Sequence, residues 1–90
     1  MEMSMRLDKY LKVSRLIKRR TLAKEVADQG RILINGRPAK ASSSVDVGDE
    51  LQIRYGNRVL TVRVEKLMET TKKDEAETMY SVLKEEFPEN

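Results

Sequence analysis

Eight basic residues, Arg6, Lys9, Lys12, Arg15, Lys18, Arg19, Arg20 and Lys24, fall within nineteen positions, and only Asp8 opposes them in that span. If the first stretch is helical, Lys9 neighbours Lys12 and Lys12 neighbours Arg15, so the three stems project on one side. Like charges so placed repel unless an anion lies between them. The Lys18-Arg19-Arg20 run is predicted to join two helices, where the positive end of the second helix adds to the field. Phosphate oxygens are the natural complement, since arginine offers a planar fork of donors and lysine a mobile point charge. Such a patch reads backbone geometry rather than base sequence. With about five phosphates neutralised, affinity would fall steeply with salt, by a slope of about 0.7 to 0.9 per contact. Lys40, with Ser42 and Ser43, is a weaker second candidate that would extend a phosphate track. A basic helix alone is more often a solvated surface. Two linked basic elements opposite an acidic half favour RNA.

Other chemistry has few residues to rest on. The chain has no histidine and no cysteine, which removes the commonest proton shuttle, thiolate nucleophiles and most zinc ligands. No glycine-rich loop cradles a nucleotide, and no nucleophile has a plausible base partner. Glu69, Asp74, Glu75 and Glu77 lack the spacing and glycine of a calcium loop, so neither a metal nor another cofactor is expected. Tyr10 has the ring to stack on a base, but it sits in a helix stripe and reads as core, as do Met68, Met79 and Tyr80. The expectation is a binding protein, not an enzyme.

Ninety residues make one domain, and 37% charged residues against 39% hydrophobic ones imply a thin core under a crowded polar surface. Residues 1–40 hold eleven Lys/Arg against four Asp/Glu, whereas residues 41–90 hold seven against eleven. That asymmetry suits a molecule that offers a polyanion one face and leaves the other for a different partner. No apolar run is long enough to span a membrane or to form a signal peptide, so the expected location is cytoplasmic and no membrane partner is expected.

The elements that must position the basic residues are read from periodicity. Leu7, Tyr10, Leu11 and Ser14 share the spacing of one helix face, with Asp8 placed as N-cap or first-turn acid. Leu16 and Ile17 interrupt that pattern. Thr21 is then predicted to cap a second helix running to Gln29, with Leu22, Ala23, Val26 and Ala27 buried, and Gly30 supplies a left-handed C-terminal cap. Ile32 and Ile34 alternate into Asn35-Gly36, a strong hairpin signal. Residues 38–44 read as an edge strand and loop, and Leu51 to Tyr55 and Val59 to Val64 as strands. Residues 67–73 read as a polar connection, and Ala76, Met79, Tyr80, Leu83 and Phe87 mark an acidic amphipathic third helix. The expected fold is therefore α+β: two N-terminal helices packed on a small antiparallel sheet of four strands, plus a C-terminal helix.

The runs Arg6-Leu7-Asp8-Lys9-Tyr10-Leu11, Arg15 to Ala23, Gly30 to Gly36, Lys40 and Val47-Gly48-Asp49 resemble the RNA-binding domain first described in the fourth protein of the small ribosomal subunit, the alpha-L motif. The match covers residues 5 to 55 or so, and nothing catalytic is attached. The resemblance implies an alpha-L domain over residues 5–66 followed by a C-terminal segment, 67–90. Among free-standing versions the chain is similar to the heat-shock protein fifteen family, most closely its short Gram-positive RqcP branch, and the tail from Thr70 to Glu86 extends that similarity. It lacks the long basic C-terminal extension of the heat-shock relatives. The resemblance implies binding to 23S rRNA of an obstructed large ribosomal subunit and to P-site peptidyl-tRNA, in support of alanine tailing by the partner RqcH, by a monomer. It also implies that Arg6, Arg15, Lys18, Arg19 and Arg20 grip RNA, supported by Lys9, Lys12 and Lys40. Competing expectations are a ribosome-assembly or regulatory RNA binder and a protein-interaction module using the acidic segment 74–86. Duplex DNA binding fits less well, because the loop from Leu16 to Arg20 is basic where a helix-turn-helix is compact and apolar.

Overall fold

The computed structural model describes residues 4–68 and 73–87. Strand β1 (Met5–Arg6) leads directly into helix α1 (Leu7–Val13), and α2 spans Arg20–Asp28. Then follow β2 (Ile32–Ile34), β3 (Arg37–Pro38), β4 (Ser44–Val45), β5 (Glu50–Tyr55) and β6 (Arg58–Val64). The chain closes with a short helix α3 (Lys73–Ala76), a 3-10 turn (Glu77–Met79) and β7 (Tyr80–Glu86). Five strands form one antiparallel sheet in the order β3-β2-β5-β6-β7, and β1 pairs separately with β4.

The core lies between one face of this sheet and the two N-terminal helices. Ile32, Leu51, Ile53, Val62 and Val64 alternate onto that face and are fully buried. They pack with Leu7, Tyr10 and Leu11 of α1 and with Ala23 and Ala27 of α2. Small alanines on α2 leave room for it beside α1. At the β2-β3 turn Asn35 and Gly36 both have positive φ, 51° and 82°, the handedness a two-residue turn between right-twisted strands requires.

Several expectations need correction. Helix α1 begins at Leu7, so Asp8 is its first-turn acid and not its N-cap, and no side chain caps the helix. The Leu7 and Asp8 N–H groups instead donate to the Ser43 and Ala41 carbonyls at 2.8 and 3.2 Å. Thr21 lies inside the first turn of α2, whose N-cap is Arg19. Leu22 is 47% exposed, so the buried stripe of α2 is Ala23 and Ala27, with Val26 half-buried. The edge strand and loop read over 38–44 are β3 at the sheet edge and a turn, Lys40–Ser43, closed by the Ser43 N–H donating to the Lys40 carbonyl at 2.9 Å, but a second short strand, β4, follows. Only β3 of these joins the sheet, and the sheet has five strands where four were expected because β7 adds to it.

The largest correction is the third helix. Residues 80–86 form β7 along β6, and helical structure stops at Met79. A lone helix of that length is marginal in water, whereas β6 offers a row of unpaired backbone groups that six positions of β7 satisfy. Of the proposed helical stripe, only Ala76 and Met79 are buried and Tyr80 half-buried, while Leu83 and Phe87 stay exposed. The connection before it is less polar than expected where described: Leu67 and Met68 pack on the core. Its remainder, Glu69 to Lys72, lies outside the described residues.

Candidate nucleic-acid interface

The link between α1 and α2 sets where the cations point. At the end of α1 the Ser14 hydroxyl donates to the Leu11 carbonyl at 3.3 Å, and both residues are buried. Arg15 then takes φ +63°, a left-handed conformation rare for a side chain of its size, with its N–H donating to the Lys12 carbonyl. The reversal brings the Ile17 N–H to the Leu11 carbonyl at 3.1 Å and drops Ile17 into the core. With Ile17 fixed inside, Lys18, Arg19 and Arg20 are left outside, and all three are exposed.

Arg15 therefore does not continue the Lys9/Lys12 row, because the helix has ended at Val13. It projects from the turn instead. Lys12 is exposed and Lys9 half-buried on α1, while Lys24 sits one turn beyond Arg20 on α2 and shares its side. The first N–H groups of α2, at Arg20, Thr21 and Leu22, precede its first intrahelical bond, from the Ala23 N–H to the Arg19 carbonyl. Three cations beside that positive helix end are unfavourable alone and favourable around an anion.

Asp8 joins the two ends of the patch. Its carboxylate is almost fully buried and accepts from Arg6 through Nε at 3.2 Å and Nη2 at 3.3 Å, while Arg20 Nε lies 3.5 Å away. Burial alone would raise its pKa. The Arg6 hydrogen bonds, the Lys9 N–H at 2.8 Å and the Arg20 charge outweigh that, and the carboxyl is held below its ordinary value. Two of the predicted phosphate-gripping arginines are thus tied to one carboxylate. Each guanidinium remains about half exposed, so Asp8 removes one unit of charge while fixing two forks side by side.

Lys40 is remote in sequence but not in space, since its turn supplies the carbonyls that receive the first N–H groups of α1. The Asp28 carboxylate holds the same turn from α2 by accepting the Ala41 N–H at 3.2 Å, and Ser43 Oγ accepts the Lys40 N–H. An open cleft beside this turn is lined by Asn35, Arg37, Ser43 and Ser44, and Ser44 is the strand partner of Arg6. Arg37 was missed from the sequence. Its only signal was its position after the Asn35-Gly36 turn, and the link from its cleft to Arg6 runs through Ser44 in the β1-β4 pairing.

Tyr10 is core, as its helical spacing suggested. Its hydroxyl donates to the Met79 carbonyl at 2.8 Å, and burial, reinforced by Tyr80 and Glu65 nearby, pushes the phenol well above its ordinary pKa. Among the described residues no helix is long and apolar enough to cross a membrane.

Comparison with known proteins gives the patch a context. The S4 domain family matches residues 5–51, the stretch that holds all nine predicted contacts: Lys9, Lys12, Arg20 and Lys24 on the two helices, Arg6 just before α1, Arg15, Lys18 and Arg19 in the link, and Lys40 on the turn that caps α1. The chain is 71% identical over 82 residues to the RQC P-site tRNA stabilizing factor of Bacillus subtilis, covering 91% of this chain and 95% of that one. It is 39% identical over 64 residues to heat shock protein 15 of Escherichia coli, 71% of this chain but 48% of that protein. Among solved structures it superposes on heat shock protein 15 of Vibrio cholerae, described as trimeric, with a TM-score of 0.82 and 33% identity over 89% of this chain and 82% of that chain. The α+β arrangement of two helices on an antiparallel sheet is the S4 fold, and the chain belongs to the S4 domain family, among the RQC P-site tRNA stabilizing factors.

Proposed function

We propose that the chain is a non-enzymatic RNA-binding factor of ribosome quality control that holds P-site peptidyl-tRNA on the 23S rRNA of an obstructed large ribosomal subunit. In that reading Arg6, Lys9, Lys12, Arg15, Lys18, Arg19, Arg20, Lys24 and Lys40 contact phosphates. By keeping the tRNA in place the factor supports alanine tailing of the nascent chain by RqcH, in the cytosol and as a single copy. The observation that carries the reading is the forced outward turn at Arg15–Arg20, which leaves Lys18, Arg19 and Arg20 exposed at the open start of α2 and Arg15 projecting from the turn. The 71% identity to a protein named for stabilising P-site tRNA supports the choice of target.

Sedimentation with purified large subunits carrying P-site peptidyl-tRNA tests it. Wild-type chain should pellet with the particles, and Lys18→Gln with Arg19→Gln should weaken association at least about tenfold and flatten the salt dependence by about two contacts' worth. Undiminished association of that double variant, with an unchanged circular dichroism spectrum, would remove the proposed surface. Light scattering of the isolated chain measures the single-copy state against the trimeric form described for the Vibrio relative.

A further inference from the structure

The face of the sheet turned away from the helices is uncovered, and its charges are arranged against their own interest. Strand register sets Leu33 beside Gln52 and Gln52 beside Thr61, all half-buried and none in the core. The Arg54 N–H donates to the Arg31 carbonyl at 2.9 Å, one step beyond the Ile32/Ile53 pair, so Arg31 and Arg54 lie directly opposite each other on this outer face. Like charges so placed are destabilising. Both residues are exposed, and among the described residues no carboxylate lies within ion-pair distance of either guanidinium.

Next to this pair is an open notch of about 670 Å³ lined by Gln52, Arg54, Gly56, Val59, Glu86 and Phe87. Phe87 is 64% exposed, the most exposed large apolar residue described. An aromatic ring, one unneutralised arginine, an amide and a carboxylate around one shallow notch, with Arg31 opposite that arginine just outside it, match the parts of a nucleotide. The ring suits a base, the guanidiniums suit phosphate, and Gln52 and Glu86 offer hydrogen bonds to a base edge. Glu86 lies opposite Val59 and 3.6 Å from the Lys84 ammonium, on the side of the notch where a base rather than a phosphate would sit.

We propose that this outer sheet face is a second RNA-binding site, which takes one unstacked nucleotide of single-stranded RNA with Phe87 against the base and Arg31 and Arg54 on its phosphates. The proposal deepens the function given above, since a chain that pins one RNA to another needs two RNA-binding faces, and the helical patch supplies only the first.

Titrations of the full-length chain, followed by backbone amide resonances, test it with two probes: a seven-nucleotide single-stranded RNA of mixed sequence and a blunt RNA duplex. The single strand should shift the amides of Arg31, Leu33, Gln52 and Arg54, and the duplex those of α1 and α2. Phe87→Ala, and separately Arg31→Gln with Arg54→Gln, should each weaken single-strand binding about tenfold while leaving duplex binding unchanged. Phe87→Tyr should bind as wild type. Single-strand shifts confined to α1 and α2, or unchanged affinity in Phe87→Ala, would overturn the second site and leave the first intact. Loss of duplex binding in Lys18→Gln/Arg19→Gln reports on the helical patch alone, so the two readings fail separately.

Discussion

Asp8 is a buried acid between two arginines, and its depressed pKa gives its effect a definite sign. A carboxyl whose folded pKa lies below its unfolded value stabilises the protein above the unfolded value, and that stability is lost as pH falls through the folded value. Unfolding measured by urea should therefore show a midpoint falling below pH 3.8, the ordinary value for this carboxyl. Asp8→Asn should remove that part of the acid limb and cost about 1 kcal/mol at neutral pH, since its partners are half exposed. Arg15 makes the opposite case. A residue with a β-carbon in the left-handed region is strained by about 1 kcal/mol, so Arg15→Gly should raise the melting temperature while weakening RNA binding. A variant that gained stability and kept full affinity would place Arg15 outside the interface. Tyr10→Phe should cost only about 1 kcal/mol, because the Met79 carbonyl still receives the Glu65 N–H at 2.8 Å and the Lys66 N–H at 3.2 Å.

At the scale of elements, β7 is where sequence and structure part. The Glu65 N–H bond to the Met79 carbonyl makes Val64 and Tyr80 a non-hydrogen-bonded pair, so the Ser81 N–H faces β6 and the Val82 N–H faces solvent. Ser81→Pro should cost about 1 to 3 kcal/mol in chemical denaturation, and Val82→Pro well under about 1 kcal/mol. A helix over the same residues would suffer about equally from both. The sequence hid this strand because Ala76, Met79, Tyr80, Leu83 and Phe87 recur at helical spacing, while the competing force, the open edge of β6, is visible only once the sheet exists. By contrast, Ile32/Ile34, Leu51/Ile53 and Leu60/Val62/Val64 were legible, since each strand buries alternate residues on one face. The two basic helices were legible for the same reason. The left-handed Gly30 that ends α2 was legible too, but the cap of α1 was not, because backbone carbonyls from residues 41 and 43 supply it.

For the whole molecule, the cation cluster was legible in the density of Lys and Arg over residues 6–24, but its assembly was not. Asp8 reads as a first-turn acid in sequence and acts as the clamp that brings Arg6 to Arg20. Arg37 lines a cleft with Ser44, and Ser44 meets Arg6 only through the pairing of β1 with β4. The outer-face pair Arg31 and Arg54 likewise depends on register, which periodicity alone does not set. Those three features share a cause: each depends on the fold bringing together residues that are separated in sequence.

The hydrogen bond from Tyr10 to Met79 spans 69 positions and ties the first helix to a residue made much later. During synthesis the basic helix leaves the ribosome early, yet its N-terminal amides wait for residues 41 and 43, and its buried hydroxyl waits for residue 79. A nascent chain thus carries the charges long before it carries the finished surface. Arrested chains ending near residue 70 should show faster amide exchange in the first helix than released ones, which would keep a half-made factor from engaging the very machine that is translating it.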